Sequence, residues 1–313
     1  MVVFGGSILQ SPNTLSNNEY WSRRMAEQYP GDASDSPVST ARGTENLALL
    51  ITLLELEPLD VDRFRAVNDL ALTPDRLFGG LIAAQALHAA QRTVPAGFGV
   101  HSLHTAFLRT GPADVPLTLV VHRSRDGRSF ASRTVTVIQS DQVICTLTAS
   151  FHVQEPSAVH EALMPIVPGP DADGWSEPLD ADWGPQLAFE HRGRVEKVDG
   201  AVVRRYWTRP VGAVPDDPAL RACLLTVLTD FWAMLPAVES IGLDPTGPTQ
   251  HISLDHSIWF HRSVPLDEWL LVEQRSVATV NSRGLVFGSV FTADGATIAS
   301  VAQEALIRGP REA

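Results

Sequence analysis

The sequence predicts an α+β protein built from two copies of one half-chain fold. Three observations carry that prediction. The first is an internal echo: Ser102-Leu103-His104-Thr105-Ala106-Phe107-Leu108-Arg109 returns as the segment from Ser253 to Arg262, with Phe107 and Phe260 of the two Phe-x-Arg ends 153 positions apart. Val143-Ile144-Cys145-Thr146-Leu147-Thr148-Ala149 is answered by Thr297-Ile298-Ala299-Ser300-Val301-Ala302-Gln303 at a spacing of 154. The second is the order of elements, a long helix followed by antiparallel strands, met twice. The third is a Pro-, Asp- and Gly-rich stretch between the two runs. Two copies are too few for a solenoid and suit a fused pseudo-dimer.

Residues 1–43 are rich in Ser, Asn, Pro, Asp and Gly with little periodicity, so an N-terminal arm is expected, loosely ordered or docked on a partner. The first half then covers 44–154. A helix starts near Thr44 and places Leu47, Leu50, Ile51 and Leu54 on one face. A second opens at Gly79-Gly80 and covers Leu81 to Arg92. Strands follow at Leu117–His122, Phe130–Gln139 and Val143–Val153, separated by turns at Asp126-Gly127 and Ser140-Asp141. Residues 155–185 form the linker and 186–313 the second half. There a strand covers Ala201–Thr208 and a helix Ala219–Leu235. Further strands run over Ile252–Arg262, Trp269–Thr279, Leu285–Thr292 and Thr297–Ile307, with a turn at Asp294-Gly295.

Composition narrows the function. The 313 residues are 44% apolar and 19% charged, as in a globular chain. A net charge of −12 argues against a nucleic-acid partner, which needs a basic surface. A phosphate-bearing small molecule remains open, since a few local Arg or Lys suffice. Leu47–Leu54, the longest apolar run, is too short to span a bilayer. Met1-Val2-Val3-Phe4-Gly5-Gly6 lacks the basic segment of a secretory signal, and Arg311-Glu312-Ala313 is not a peroxisomal tripeptide. Cys145 and Cys223 sit among apolar neighbours and read as reduced core residues. A cytoplasmic location is therefore expected. There is no G-x-S-x-G, no G-x-G-x-x-G after a strand, no Walker motif and no H-x-x-x-H, so no cofactor or metal is expected.

Asp230 stands out by pattern. On a helix over Ala219–Leu235 the apolar face runs through Leu220, Cys223, Val227 and Met234, and Asp230 falls roughly 20° from Cys223 on the helical wheel. An acid held out of water on that face is a candidate base. The alternative is a rotated helix with Asp230 at its edge, in water or capping something. Gln303 shares a strand face with Thr297, Ala299, Val301, Ala305 and Ile307. A buried amide there must find partners or cost roughly 1–3 kcal/mol. Ser253 alternates with Asp255 and Ser257, opposite Ile252, Leu254, Ile258 and Phe260, and alone is an ordinary strand serine. His101, His104, His256 and His261 flank strands and read as structural. Arg125, Arg128 and Arg133 could bind phosphate, but read first as solvated strand arginines.

Phe78-Gly79-Gly80 leading into Gln85-Ala86-Leu87, Val100-His101-Ser102, Arg125-Asp126-Gly127-Arg128-Ser129-Phe130, Thr148-Ala149-Ser150-Phe151, Asp255-His256-Ser257-Ile258-Trp259-Phe260-His261-Arg262, Ser282-Arg283-Gly284 and Gln303-Glu304 occur in one order over about residues 44–308. Together they resemble the acyl-CoA thioesterase II (TesB-like) family. The resemblance implies a double hotdog, in which each half wraps a long helix in a curved antiparallel sheet and the sheets join. It also implies hydrolysis of acyl-CoA thioesters, with CoA as part of the substrate. Its site would comprise a helix aspartate, a strand hydroxyl and a strand glutamine, here Asp230, Ser253 and Gln303. A homo-oligomer is expected because hotdog units pair.

Thioester hydrolysis fits these residue types. The thiolate leaves without a strong acid, so the reaction mainly needs an oriented water and a base. Amides at a helix start, such as Gly79-Gly80, are candidates to face the carbonyl oxygen. The first half has Gln85 but no acid between Leu81 and Arg92, and has Ala149 where the second has Gln303. One site per chain is therefore expected, built by the second half and walled by the first. The other readings are a non-catalytic acyl-CoA-binding protein and a hotdog enoyl-CoA hydratase. The latter wants an Asp–His pair near the helix start, and no His lies between Ala219 and Leu235.

Overall fold

The computed structural model describes residues 37–73, 76–176 and 184–309. The expected N-terminal arm lies outside them up to residue 36. Helix α1 (Pro37–Leu54) starts ahead of Thr44 and so takes in the arm's last residues. Then come β1 (Glu57–Asp60), β2 (Arg63–Ala66), α2 (Gly79–Gln91), β3 (Phe98–Phe107), β4 (Leu117–Asp126), β5 (Phe130–Gln139) and β6 (Gln142–Val153). After the linker and a short 3-10 turn at Gly184–Ala188, the second half gives β7 (Phe189–Val198), β8 (Ala201–Pro210), α3 (Pro218–Thr229) and α4 (Leu235–Ser240). It ends with β9 (Gln250–Ser253), β10 (Asp255–Phe260), β11 (Leu270–Val280), β12 (Arg283–Thr292) and β13 (Thr297–Arg308).

These strands form one 13-stranded antiparallel sheet in the order β1-β2-β4-β5-β6-β3-β10-β13-β12-β11-β8-β7, with β9 beside β13. The order mirrors itself about the β3–β10 seam. There His104 lies opposite Ser257, Ser102 opposite Trp259 and Ala106 opposite Asp255. His104 and Ser257 are separated in sequence by the repeat offset itself, so that pair marks the local two-fold axis relating the halves. The first pair of echoed segments thus supplies the strands that join the two sheets, and the second pair lies on β6 and β13, one strand out on either side.

Turn chemistry sets the hairpins. Ser140 and Asp141 both have positive φ (47° and 62°), as do Asn281 and Ser282 (51° and 56°) and Asp199 and Gly200 (51° and 81°). Two left-handed residues in a row match the right-handed twist of the flanking strands. Inside the curved sheet, α2 and α3 pack against each other. Both are apolar on nearly every side, which suits helices enclosed by sheet. Ala83, Ala84, Ala86, Leu87, Ala89 and Ala90 of α2 are fully buried, as are Cys223, Leu224, Leu225, Val227 and Leu228 of α3. Small residues let the helices approach closely, and each buried Leu contributes about 2–3 kcal/mol.

The structure departs from the sequence reading at four places. Strands β1, β2, β3 and β7 were not among the expected strands; β1 is exposed along its whole length and lacks a two-residue pattern. The helix expected over Ala219–Leu235 ends at Thr229. It starts well, with Asp217 accepting from the amides of Ala219 and Leu220 and Pro218 in the first turn. It stops because the Phe231 carbonyl is captured by Gln274 Nε2 (2.8 Å) from the sheet, and Trp232 turns left-handed (φ 53°). The strand expected over Ile252–Arg262 is broken at Leu254 into β9 and β10. Arg133, read as solvated, is fully buried; it donates to the carbonyls of Thr93, Arg125 and Ser132, to Thr93 Oγ1, and to Asp126.

Candidate active site

The break in α3 places Asp230 at the helix C-cap, one residue past the last turn. Its backbone is still right-handed helical (φ −83°, ψ −12°), so its side chain keeps the inward direction that the 3.6-residue period gives it. It is still 5% exposed, and it does cap something: the N-terminus of α2 from the other half. The Gly80 amide donates to Asp230 Oδ2 at 2.6 Å. Glycine is needed for that approach, since a Cβ on Gly80 would lie 2.9 Å from Asp230 Cβ and 2.9 Å from the Phe78 ring. Phe78 stacks on Phe231 (5.8 Å), and Phe231 packs with Trp232, His191 and Phe189. An aromatic cluster thus holds the turn that carries the carboxylate.

Gln303 projects from β13 on the buried face expected for it and is 1% exposed. Its Nε2 donates to Asp230 Oδ1 at 2.9 Å and to Ser253 Oγ at 2.8 Å. The three sequence-derived residues therefore form one hydrogen-bonded chain, Asp230–Gln303–Ser253. A carboxylate only accepts, so the amide nitrogen must be the end that faces it. Both Nε2 protons are engaged, which leaves the Ser253 hydroxyl proton and the free lone pairs of Asp230 for a further partner.

Register explains how Ser253 gets there. On β9, Ser253 lies opposite Ala305; on β10, Ser257 lies opposite Ala302. The pairing slips by one residue across Leu254, whose amide donates to the Glu304 carbonyl (2.8 Å). The slip inverts the alternation. Ser253 and His256, on opposite faces of an unbroken strand, come to the same face and both touch Gln303.

His256 is the residue that the sequence reading missed as part of the site. Its ring is fully buried, with Nδ1 2.6 Å from Gln303 Oε1 and Nε2 3.0 Å from Thr229 Oγ1. Burial pushes its pKa below the usual histidine value, against the opposing pull of the Asp230 charge and of the Gln303 bond. A sequence signal did exist: at the repeat offset of 153 the first half has Leu103. The Gly80 amide, a candidate to face a substrate carbonyl, is instead bonded to Asp230. A cavity of about 10 Å³, lined by Thr229, Ala233, Val272, Val286, Val301 and Gln303, lies behind the amide, at the lower limit of what holds one water. Among the described residues no three His, Cys, Asp or Glu side chains converge as a metal site would.

The comparisons with known proteins give the family. The family model for the acyl-CoA thioesterase N-terminal domain matches residues 71–152, and that for the acyl-CoA thioesterase C-terminal domain matches 156–307. The chain belongs to the acyl-CoA thioesterase family. Acyl-CoA thioesterase 2 of Haemophilus influenzae is 35% identical over 279 residues, covering 83% of this chain and 96% of that protein. Acyl-coenzyme A thioesterase 8 of Rattus norvegicus is 32% identical over 308 residues, covering 89% and 95%. The crystal structure of the acyl-CoA thioesterase II TesB2 from Mycobacterium marinum superposes with a TM-score of 0.74 at 34% identity, over 83% of this chain and 98% of that one. A hot dog fold protein from Alicyclobacillus acidocaldarius gives a TM-score of 0.70 at 22% identity, over 84% and 98%, a likeness of fold alone. The thioesterase chain is accordingly a double hotdog, as its motifs implied.

Proposed function

We propose that this chain hydrolyses acyl-CoA thioesters, with Asp230, Ser253 and Gln303 directing a water onto the thioester carbonyl. The observation that carries the reading is the hydrogen-bonded chain Asp230–Gln303–Ser253, built by the second half and closed by Gly80 of the first. Gln303 fixes both neighbours, so one water can accept from the Ser253 hydroxyl while giving a proton to Asp230. The water oxygen bonds to the carbonyl carbon as its proton passes to the carboxylate. The C–S bond then breaks, and the departing CoA thiolate takes the proton from Asp230, which restores the carboxylate. No enzyme-bound acyl group is needed.

The reading extends to surroundings. Both cysteines are free and buried, and burial pushes the Cys145 thiol up to about 12. Inert thiols of that kind suit the reducing cytoplasm. Trp259 and Phe287 are 39% and 52% exposed on the outer face of the central strands. A second copy covering them would account for that apolar surface, and a homo-oligomer is part of the proposal.

The test is release of free CoA thiol from a panel of acyl-CoAs. Thiol release with stoichiometric free acid is the expected outcome. Thermal stabilisation by acyl-CoA without release would replace the hydrolase with a binding protein. Loss of enoyl absorbance without release would replace it with a hydratase.

A further inference from the structure

We infer that His256 is a positioning residue of this site, whose Nδ1–H acts with the Asp230 carboxylate to set which way round the Gln303 amide sits. The inference rests on the reading of Gln303 as part of the hydrolytic site.

A terminal amide can occupy its slot in two orientations, differing by exchange of Oε1 and Nε2. Only one serves the proposed chemistry, with Nε2 toward Asp230 and Ser253. In the reverse orientation Oε1 would face the Asp230 carboxylate, acceptor against acceptor. His256 lies on the other side of the amide, at 2.6 Å from Oε1. Its Nδ1–H gives Oε1 a donor, and the 2.8 and 2.9 Å bonds on the nitrogen side follow.

The ring is itself held. Thr229, the last residue of α3, places Oγ1 3.0 Å from Nε2. With Nδ1 protonated and the ring neutral, Nε2 accepts from the Thr229 hydroxyl. The hydroxyl has one proton, so in this arrangement it goes to Nε2 and not to the Thr226 carbonyl, which lies 3.2 Å from Oγ1. The residue preceding the base thus orients the ring that orients the amide that orients the base. The other charge beside the ring is Asp255, whose carboxylate accepts from the Glu304 amide at 2.8 Å. His256 and Thr229 are both within 1% of full burial, so water does not replace these partners.

Two measurements test the inference. In the wild-type protein, nitrogen-15 NMR of the imidazole, assigned by the signal lost in His256→Asn, should show a neutral ring protonated on Nδ1. A ring protonated on Nε2 alone would place Gln303 the other way round and overturn the inference. This readout needs no folded core variant other than the one used for assignment. The second is turnover of His256→Leu against His256→Asn. Leu keeps apolar bulk but offers no donor; the Asn amide nitrogen can stand near the place of Nδ1. The expected result is a kcat roughly 10²-fold down in His256→Leu with KM little changed, and substantially recovered in His256→Asn. A role in packing alone favours Leu over Asn in a core, so equal or better turnover by His256→Leu overturns the inference. Should His256→Leu not fold, the tautomer decides. Thiol release by wild type that is lost in Asp230→Asn, together with the wrong tautomer, would sink this inference alone. Undiminished release in Asp230→Asn would sink the reading beneath it.

Discussion

The Asp230 carboxylate and the Gly80 amide, 150 residues apart, meet across a 2.6 Å hydrogen bond that joins the two halves of the chain. The bond uses an unsatisfied N–H at the first turn of α2 and the electrostatic preference of a helix N-terminus for negative charge. A first half that carries no candidate base of its own thus fixes the base of the second.

That contact leaves no room for a methyl group. In Gly80→Ala the new Cβ would come within 2.9 Å of both Asp230 Cβ and Phe78 Cε1, so the carboxylate or the ring must move. Overpacking of this kind costs about 1–3 kcal/mol. Displacement of the base costs kcat on the order of 10²-fold. Thermal unfolding and steady-state thiol release on the same preparation check both, and the activity loss should exceed what the lost stability accounts for.

Ser253 needs its hydroxyl rather than its size. Ser253→Thr should keep kcat within a few-fold, because a β-branched residue suits a strand and retains the oxygen that accepts from Gln303. Ser253→Ala should lose roughly 10–10²-fold, from a misplaced water and a Gln303 proton without its partner. Equal activity of the two variants would remove the hydroxyl from the mechanism.

The aromatic cluster behind the site makes the fold sensitive to acid. Burial pushes the His191 ring down to about 3, although its bond to the Gln186 carbonyl opposes the shift. On unfolding the ring returns toward 6.5. Between those values the unfolded chain binds a proton that the folded chain excludes. Stability is then fully present above pH 6.5 and falls as the pH drops, by about 1.4 kcal/mol per pH unit from this ring. Denaturant unfolding of wild type and His191→Phe at pH 7 and pH 5 checks this. The stability gap should shift by about 2 kcal/mol in the variant's favour on going to pH 5.

Much of this was legible in the sequence, for physical reasons that differ from residue to residue. Gln303 was placed correctly because β13 is regular and two-residue periodicity reports burial directly. The duplicated halves were visible because the echoed segments are the strands at the seam, where His104 meets Ser257, and those next to it. Asp230 was found by a periodicity that the helix keeps up to its C-cap. The chain leaves the helix just after it, so the expected extension to Leu235 fails while the inward direction of the acid stands. The Leu254 slip is a matter of pairing between strands, which no single strand's pattern records. It hid the fact that Ser253 and His256 share a face. The Gly80–Asp230 bond depends on how two distant helices pack, and only the Gly-Gly pair hinted at a close approach.

The central claim is that Asp230 takes the proton from the attacking water. The direct measurement is kcat for CoA thiol release by Asp230→Asn beside wild type, on the best substrate from the acyl-CoA panel. Asn keeps the shape and one accepting oxygen for the Gly80 amide, but its NH2 meets Gln303 Nε2 donor to donor, and it cannot serve as the base. The account predicts a fall of roughly 10²–10⁴-fold with the fold intact. Turnover by Asp230→Asn at the wild-type rate would contradict it.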